Sequence, residues 1–164
     1  KHAKEFKAPI HFSEFPNEKA IMIISCVDPR ADPKEFWDFG KQRPGVIRNA
    51  GGRARDTLRS LRGLSTIMGY GKNTVGAVAV VHHTDCGMIN FDDDFIRGKL
   101  KDRVSDSPEL VSEVDKMEIG SFSDIEASVR EDVEIIKTDP FLPKDLVVLG
   151  FVYDTFTGKT TEVV

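Results

Sequence analysis

Two short apolar runs constrain the fold of this chain more than any other feature. The first covers residues 20–25 and ends at Cys26, and the second covers residues 75–81 and is followed by His83 and Cys86. A strand with one face in water alternates apolar and polar residues, whereas a strand covered on both faces is apolar throughout. We therefore predict two central strands of a parallel sheet, with chemically reactive side chains just beyond their carboxyl ends.

The rest of the chain has the pattern of an α/β fold, in which strands alternate with helices and the crossovers favour parallel pairing. Further elements are predicted as follows: strands at residues 46–48 and 146–152, the latter buried, a final edge segment at 159–164, and helices at 55–68, 88–100 and 123–138. Ser123 and Glu126 have the spacing of a capping box for the last helix. We predict a mainly parallel central sheet of four strands plus an antiparallel edge strand, flanked by helices.

Length and composition indicate one domain preceded by an arm. The chain has 164 residues, of which 40% are hydrophobic, and this is enough apolar material for one core. Residues 1–19 mix aromatic side chains with charges and prolines and have no clear helical or strand period. We expect an N-terminal arm at residues 1–19 and a single α/β domain at residues 20–164.

Charge and hydropathy argue against two classes of partner. The net charge of −4 disfavours nucleic acid, whose phosphate backbone is bound by clustered lysine and arginine. No apolar stretch approaches the roughly 20 residues that a membrane-spanning helix needs, and the first residues do not resemble a signal peptide. We expect a cytoplasmic protein that acts on a small molecule. Because the sequence begins without methionine, a trimmed targeting segment remains an open alternative.

The two cysteines of the chain, Cys26 and Cys86, fall in the two stretches that follow the apolar runs. Carboxyl ends of parallel strands meet at one edge of a sheet, where ligands gather. Two thiolates and the imidazole of His83 form a natural ligand set for Zn²⁺, with a fourth position left for water or substrate. We predict that Cys26, His83 and Cys86 bind one zinc ion per chain. A disulfide between the two cysteines is the alternative.

Asp28 and Arg30 follow the first predicted ligand at a spacing that suits catalysis. Asp28 is placed to accept a hydrogen bond from metal-bound water, and Arg30 to hold that carboxylate ionised in a bidentate fork. A backbone N–H near Gly87 is a candidate donor to a developing negative charge, because glycine permits close approach. The predicted chemistry is attack by metal-bound hydroxide on an electrophilic carbon. The alternative for Asp28 and Arg30 is a structural surface ion pair.

Three motifs together resemble the β-class carbonic anhydrases: Cys-x-Asp-x-Arg at residues 26–30, Arg-Asn-Ala-Gly at 48–51, and His-x-x-Cys-Gly at 83–87. The resemblance is to the small single-domain branch, which also includes carbonyl sulfide and carbon disulfide hydrolases. It implies a zinc enzyme that hydrates CO₂ to bicarbonate, hydrolyses carbonyl sulfide to CO₂ and hydrogen sulfide, or does both. It also implies an Asp28–Arg30 dyad whose aspartate can move to the fourth zinc position, and a homodimer or dimer of dimers contacted by the N-terminal segment.

Three positions depart from that family's usual pattern. Pro29 stands where serine is usual, and His82 where the small enzymes often have glycine. We expect His82 to point away from His83 and to be a structural or proton-relay residue, because neighbouring residues of a strand face opposite sides. Gly45 and Ala50 fall where larger relatives have bulkier residues around the substrate, so Ala50 is a predicted substrate contact in a roomier pocket.

A different class of function remains as an alternative, namely a non-catalytic zinc-binding module or a thiol redox sensor that uses Cys26 and Cys86. A structural zinc site is closed by four protein ligands. No third cysteine is available, but Asp28 is close enough in sequence to supply the fourth ligand.

Overall fold

The structure is a computed structural model, and it describes residues 19–40, 43–67 and 75–164. Its five strands form one sheet in the order β2-β1-β3-β4-β5. Pairs β1·β2, β1·β3 and β3·β4 are parallel, and β5 runs antiparallel to β4. The strands are β1 (Ala20–Cys26), β2 (Gly45–Asn49), β3 (Val75–His83), β4 (Val147–Tyr153) and β5 (Thr160–Glu162). The predicted fold class is confirmed.

Six α-helices lie in the described ranges. They are α1 (Pro33–Phe36), α2 (Leu58–Ile67), α3 (Gly87–Asn90), α4 (Asp93–Arg103), α5 (Pro108–Asp115) and α6 (Ile125–Lys137), with single 3₁₀ turns at Pro29–Ala31, Ala50–Gly52 and Arg55–Thr57. The helix predicted at 55–68 begins as the last of these turns and continues as α2, while residue 68 lies outside the described residues. None of the helices in the described ranges is long and apolar enough to cross a membrane.

The main core lies between one face of the sheet and helices α2 and α6. Ile24 and Val80 from the central strands pack there with Leu61 of α2 and with Val129 and Val133 of α6. The approach of α6 is close at Gly150 of β4, where an added Cβ would lie 2.4 Å from a methyl group of Val129. This packing holds α6 against one face of the sheet. The candidate ligands lie at the carboxyl ends of β1 and β3.

The opposite face of the sheet is only partly covered. Near the carboxyl ends of the strands, the ring of Phe36 stacks on Tyr153 with centroids 4.2 Å apart, and Trp37 donates a hydrogen bond to Thr160. Farther down, Val147 is 52% exposed and Leu149 36% exposed. The prediction that β4 is buried on both faces is therefore wrong for its amino-terminal half, because no helix of the described residues covers that side.

Two helix boundaries differ from prediction because short polar residues compete for the capping position. The cap of α6 is Asp124, whose carboxylate accepts from the backbone N–H of Ala127, so the predicted box of Ser123 and Glu126 is wrong. The helix predicted at 88–100 is broken between α3 and α4, since Asp92 caps α4 by accepting from Phe95.

The predicted N-terminal arm, residues 1–19, lies outside the described residues except for Lys19. The ammonium of Lys19 is 2.7 Å from the carboxylate of Asp145, which precedes β4. This ion pair links the residue before β1 to the residues before β4, although β3 lies between the two strands.

Candidate metal centre

The three predicted ligands converge at the carboxyl edge of the sheet. Cys26 is the last residue of β1, His83 is the last residue of β3, and Cys86 caps α3. Their ligand atoms all lie within 4.8 Å of one another, and the two sulfurs are 3.9 Å apart. All three residues are buried. Residues 60 positions apart meet here because β1 and β3 are adjacent parallel strands.

The imidazole of His83 is oriented as a metal ligand. Its Nδ1 lies 2.9 Å from the carbonyl oxygen of Thr84, and an N–H there can only donate. The lone pair then belongs to Nε2, which is buried and has no hydrogen-bond partner in the described part of the chain. An unpaired buried polar atom is costly, and a metal ion between Nε2 and the two sulfurs satisfies it.

Both cysteines are free thiols, and their sulfurs are farther apart than the roughly 2.05 Å of a disulfide bond. The hydrogen bond from the Cys86 thiol lowers the pKa of Cys26 to about 4, with smaller help from the backbone N–H of Asp28, against the opposing effect of burial. The same interaction and burial raise the pKa of Cys86. A zinc ion bound between the two sulfurs would take the place of the proton in this hydrogen bond.

A second set of contacts holds the carbonyl that orients His83. The Thr155 hydroxyl donates to the Thr84 oxygen at 3.3 Å, and the Thr155 backbone N–H donates to the Thr84 hydroxyl at 3.0 Å. The backbone N–H of Thr84 donates to Tyr153 at the end of β4. Partners of this kind fix the tautomer and direction of a ligating histidine.

Asp28 and Arg30 form the predicted fork at the rim of the site. Arg30 donates from Nη2 to Asp28 Oδ2 at 2.6 Å and from Nε to both carboxylate oxygens at 3.1 and 3.2 Å. Mainly through these hydrogen bonds, Arg30 lowers the pKa of Asp28 to about 2. Asp28 is not a member of the group formed by Cys26, His83 and Cys86 among the described residues. Its carboxylate is therefore ionised and held by Arg30, and it is not grouped with the three candidate ligands.

Pro29 suits the turn in which it lies. Asp28 caps the 3₁₀ turn at Pro29–Ala31, and proline occupies the first position, where a backbone N–H has no partner within a helix. The backbone N–H of Arg30 still donates to Asp28 Oδ1 at 2.9 Å. The departure from serine therefore removes a hydroxyl without breaking the dyad's backbone support.

Arg48 forms hydrogen bonds with the end of β1, at Cys26, and with the loop that follows it, at Asp28. Its guanidinium donates to the backbone carbonyl of Cys26 at 2.9 Å, to that of Asp28 at 2.5 Å, and to the carboxylate of Asp32 at 3.0 Å. The motif around Arg48 was recognised in the sequence, but this contact was not predicted. The reason is that parallel pairing of β1 and β2, which brings the residues together, cannot be read from spacing alone.

The loop after β2 is clamped against the first ligand. Asn49 accepts from the backbone N–H of Arg53 and donates to its carbonyl, both at 2.8 Å. Gly51 and Gly52 inside the loop have positive φ angles of 76° and 70°. A Cβ on Gly52 would lie 3.0 Å from the backbone nitrogen of Cys26. Glycine at 52 is required both by its backbone angle and by this close approach.

The family model for carbonic anhydrase matches residues 21–160. The β-carbonic anhydrase 1 of Mycobacterium tuberculosis is 32% identical over 163 residues, which cover 99% of this chain and 91% of that protein. The chain belongs to the β-carbonic anhydrase family. A carbon disulfide hydrolase from Saccharolobus solfataricus is 28% identical, with 88% of this chain and 77% of that protein covered. The solved carbonic anhydrase from Glaciozyma antarctica superposes with a TM-score of 0.78 at 33% identity, covering 93% of this chain and 88% of that one.

As a β-carbonic anhydrase, the chain is a zinc enzyme, and the arrangement of Cys26, His83 and Cys86 can hold one ion. The donor set fits, because two sulfurs and one nitrogen are the ligands that zinc accepts in tetrahedral sites. Three protein ligands leave a fourth position, which is characteristic of a catalytic and not a structural zinc site.

The two predicted substrate contacts lie at the same edge as the ligands. Gly87 is the first residue of α3, and a Cβ placed on it would meet nothing within 4 Å. Ala50 is exposed in the turn that follows β2. Their roles remain predictions. Gly45 does not belong with them, because it pairs with Met22 at the far end of β2, whereas Cys26 pairs with Asn49.

His82 points away from the β-carbonic anhydrase site, as expected for the neighbour of His83 in a strand. It is fully buried, donates from Nε2 to Asp132 at 3.1 Å, and stacks on the ring of Phe122 with centroids 5.0 Å apart. Nε of the buried Arg53 lies 3.2 Å from the same oxygen of Asp132, Oδ2. This cluster of His82, Asp132 and Arg53 was not predicted from the sequence. Its signal in the sequence was Asp132, a charged residue on the apolar face of α6.

Proposed function

We propose that this β-carbonic anhydrase hydrates CO₂ to bicarbonate at the site formed by Cys26, His83 and Cys86. The observation that carries the proposal is the orientation of Asp28, whose carboxylate is held on Arg30 and leaves the fourth ligand position free. These three residues would hold the zinc ion, which would lower the pKa of a coordinated water towards neutrality and so supply the nucleophile.

Asp28 acts as the hydrogen-bond acceptor that orients the attacking water. Because Arg30 lowers its pKa to about 2, the carboxylate is ionised throughout the neutral range and does not take up the proton itself. The fork from Arg30 fixes the direction of the carboxylate lone pairs. Gly87 supports the reaction from α3, where its backbone N–H is a donor for the negative oxygen that develops on the substrate.

We extend the proposal to carbonyl sulfide as a second substrate, hydrolysed to CO₂ and hydrogen sulfide. It is linear like CO₂ and has the same electrophilic carbon. Similarity to the carbon disulfide hydrolase of Saccharolobus solfataricus over 88% of this chain supports a sulfur-containing substrate. The exposed Ala50 supports it as well, because a small side chain leaves room for sulfur.

A turnover assay that offers CO₂, carbonyl sulfide and carbon disulfide to one zinc-loaded preparation tests the function. We expect CO₂ hydration, its loss after zinc is removed by a chelator, and its recovery when zinc is restored. Asp28→Asn is expected to lower kcat/KM about a hundredfold while zinc content stays at one per chain, because the variant loses the charged acceptor that orients the attacking water and misplacing a reacting group costs about that much. Full turnover by metal-free protein, or an unaffected Asp28→Asn variant, would contradict the proposal.

We also propose that the protein is a cytoplasmic homo-oligomer, at least a dimer. The half-exposed apolar side chains of Val147 and Leu149 support self-association, because one face of the sheet is left in water by the described residues. A reducing compartment keeps the thiols of Cys26 and Cys86 available to the metal. Light scattering should give a multiple of the 18.3 kDa chain mass, and Val147→Asp should lower it. A monomeric mass for the unmodified protein would refute this.

A further inference from the structure

Asp85 has a backbone conformation that its residue type does not favour. Its φ angle is 55°, and it is the one residue other than glycine with a positive φ in the part of the chain that the structure describes. Aspartate tolerates this left-handed region better than most residues, but glycine adopts it at no steric cost. Strained residues of this kind cluster at functional sites. The contacts of the Asp85 side chain can therefore explain why a residue other than glycine stands here.

The Asp85 side chain contacts Arg30, the arginine of the catalytic dyad. Its Oδ2 accepts from Arg30 Nη1 at 2.8 Å, and its backbone carbonyl accepts from Nη2 at 3.2 Å. Nε and the remaining hydrogen of Nη2 donate to Asp28. All three nitrogens of the Arg30 guanidinium are therefore engaged by two aspartates. Among the described residues, Asp85 has no other side-chain hydrogen bond.

Such a second anchor matters because Arg30 lies at the surface. Its side chain is 49% exposed, and Asp28, only two residues away, moves with the same turn. An exposed arginine held from one side retains many rotamers. Asp85 lies 55 positions later in the chain, on the loop after β3, so its contact ties Arg30 to a different part of the structure.

The backbone angle of Asp85 explains how the contact forms. The ligand atoms of His83 and Cys86 lie within 4.8 Å of each other, and the left-handed residue in the turn between them reverses the chain so that they can approach. The same reversal presents the carboxylate of Asp85 to Arg30. The guanidinium thus joins the loop after β1, which carries Cys26, to the loop after β3, which carries Cys86.

We propose that Asp85 is a positioning residue. It holds the Arg30 guanidinium in the orientation in which Nε and Nη2 donate to the Asp28 carboxylate. The proposal rests on the proposed function, because it acts through the dyad. The competing explanation is that Asp85 only tolerates the turn, in which case its carboxylate has no effect on Arg30.

Three substitutions separate these explanations. Asp85→Asn removes the charge and still tolerates the left-handed angle, Asp85→Gly removes the side chain and relieves the backbone, and Asp85→Ala removes the side chain but keeps the strain. The matched control is Asp145→Asn, which removes the charge of another exposed aspartate in an ion pair of 2.7 Å, remote in the chain from the dyad.

The direct measurement is the hydrogen-exchange rate of the Arg30 Nε–H, followed by NMR on the zinc-loaded full chain. The signal is assigned by its loss in Arg30→Lys. We expect exchange to accelerate about two- to fivefold in all three Asp85 variants, as for loss of a partly exposed charged pair, and to be unchanged in Asp145→Asn. Rates that stay at the wild-type value in the three Asp85 variants would overturn the proposal.

The second measurement compares kcat/KM with melting temperature at one zinc per chain. We expect kcat/KM to fall by about the same two- to fivefold factor in all three variants, although Asp85→Gly is at least as stable as Asp85→Asn and Asp85→Ala is the least stable. Activity that follows the melting temperature would refute positioning and favour the turn alone. If the wild-type protein had no turnover, the proposed function would fail, and the exchange rates would still decide the role of Asp85.

Discussion

Replacing Gly52 by alanine tests how closely the loop after β2 is pressed against the backbone of the first metal ligand. Gly52 has a φ of +70°, and an added Cβ would lie 3.0 Å from the Cys26 nitrogen, 3.0 Å from the Ser25 carbonyl carbon and 3.2 Å from the Val81 carbonyl oxygen. These are backbone atoms of the two central strands. They cannot turn aside as a flexible side chain would.

Two costs follow from that geometry. The left-handed angle costs a residue with a Cβ about 1–2 kcal/mol, and forcing an extra methyl into packed surroundings costs about 1–3 kcal/mol. We expect Gly52→Ala to lower the free energy of unfolding by about 2–5 kcal/mol. Gly158→Ala isolates the first cost, because Gly158 has a φ of +72° and nothing within 4 Å of an added Cβ.

Urea unfolding of zinc-loaded protein at one fixed protein concentration measures these differences. Gly63→Ala is the opposite control, because Gly63 lies inside α2 with open space around it, and alanine there should stabilise by about 0.5–1 kcal/mol. If Gly52→Ala lowers the free energy of unfolding no more than Gly158→Ala does, the loop can move to accommodate a methyl group. The argument for a tight approach to Cys26 would then fail.

Three further predictions concern the ligands and a remote ion pair. Cys86→Ser should reduce bound zinc well below one per chain in elemental analysis, and retention of full zinc would contradict its role as a ligand. Thr155→Val should weaken zinc affinity about tenfold in a chelator competition, because the Thr84 carbonyl that orients His83 loses a donor; unchanged affinity would argue against this support. Arg62 holds the pKa of Asp139 below its usual value, so that pair stabilises the fold above the usual pKa and ceases to do so as the pH falls through the lowered one. Arg62→Gln should therefore lower the melting temperature at pH 7, with a difference from wild type that shrinks below about pH 4; a constant difference would refute the linkage.

The central fold could be predicted because its strands are unusually apolar. β1 and β3 are buried on both faces in their middle parts, and such strands differ from any surface element in composition alone. The same rule failed for β4, where Val147 and Leu149 are exposed. An apolar sequence shows that burial of a strand is favourable. It does not show which element, or which chain, packs against that strand.

Caps were less predictable because they depend on local competition. Ser123 and Asp124 are both good capping residues, and only the backbone angles of the folded chain select Asp124. The break between α3 and α4 has the same cause. The side chain of Asp92 accepts from the backbone N–H of Phe95, which in a continuous helix would donate to the carbonyl four residues earlier.

The grouping of Cys26, His83 and Cys86 could be predicted because their chemistry is restrictive. Cys26, Cys86 and His83 follow the two strands most certain to be neighbours, and thiolate and imidazole are what zinc binds. The supporting residues could not be predicted in this way. Arg48 and Asp85 act through contacts 20 and 55 positions away in the chain, and the latter also depends on a single backbone angle.

The origin of the ligands in two neighbouring strands has a consequence for biosynthesis. Cys26 emerges from the ribosome long before Cys86, and one thiol alone holds zinc weakly. High affinity arises only when β3 has been laid beside β1, so acquisition of the ion reports the completion of a contact that spans 60 positions of sequence. Zinc bound by all three residues would therefore stabilise a long-range contact and not a local one.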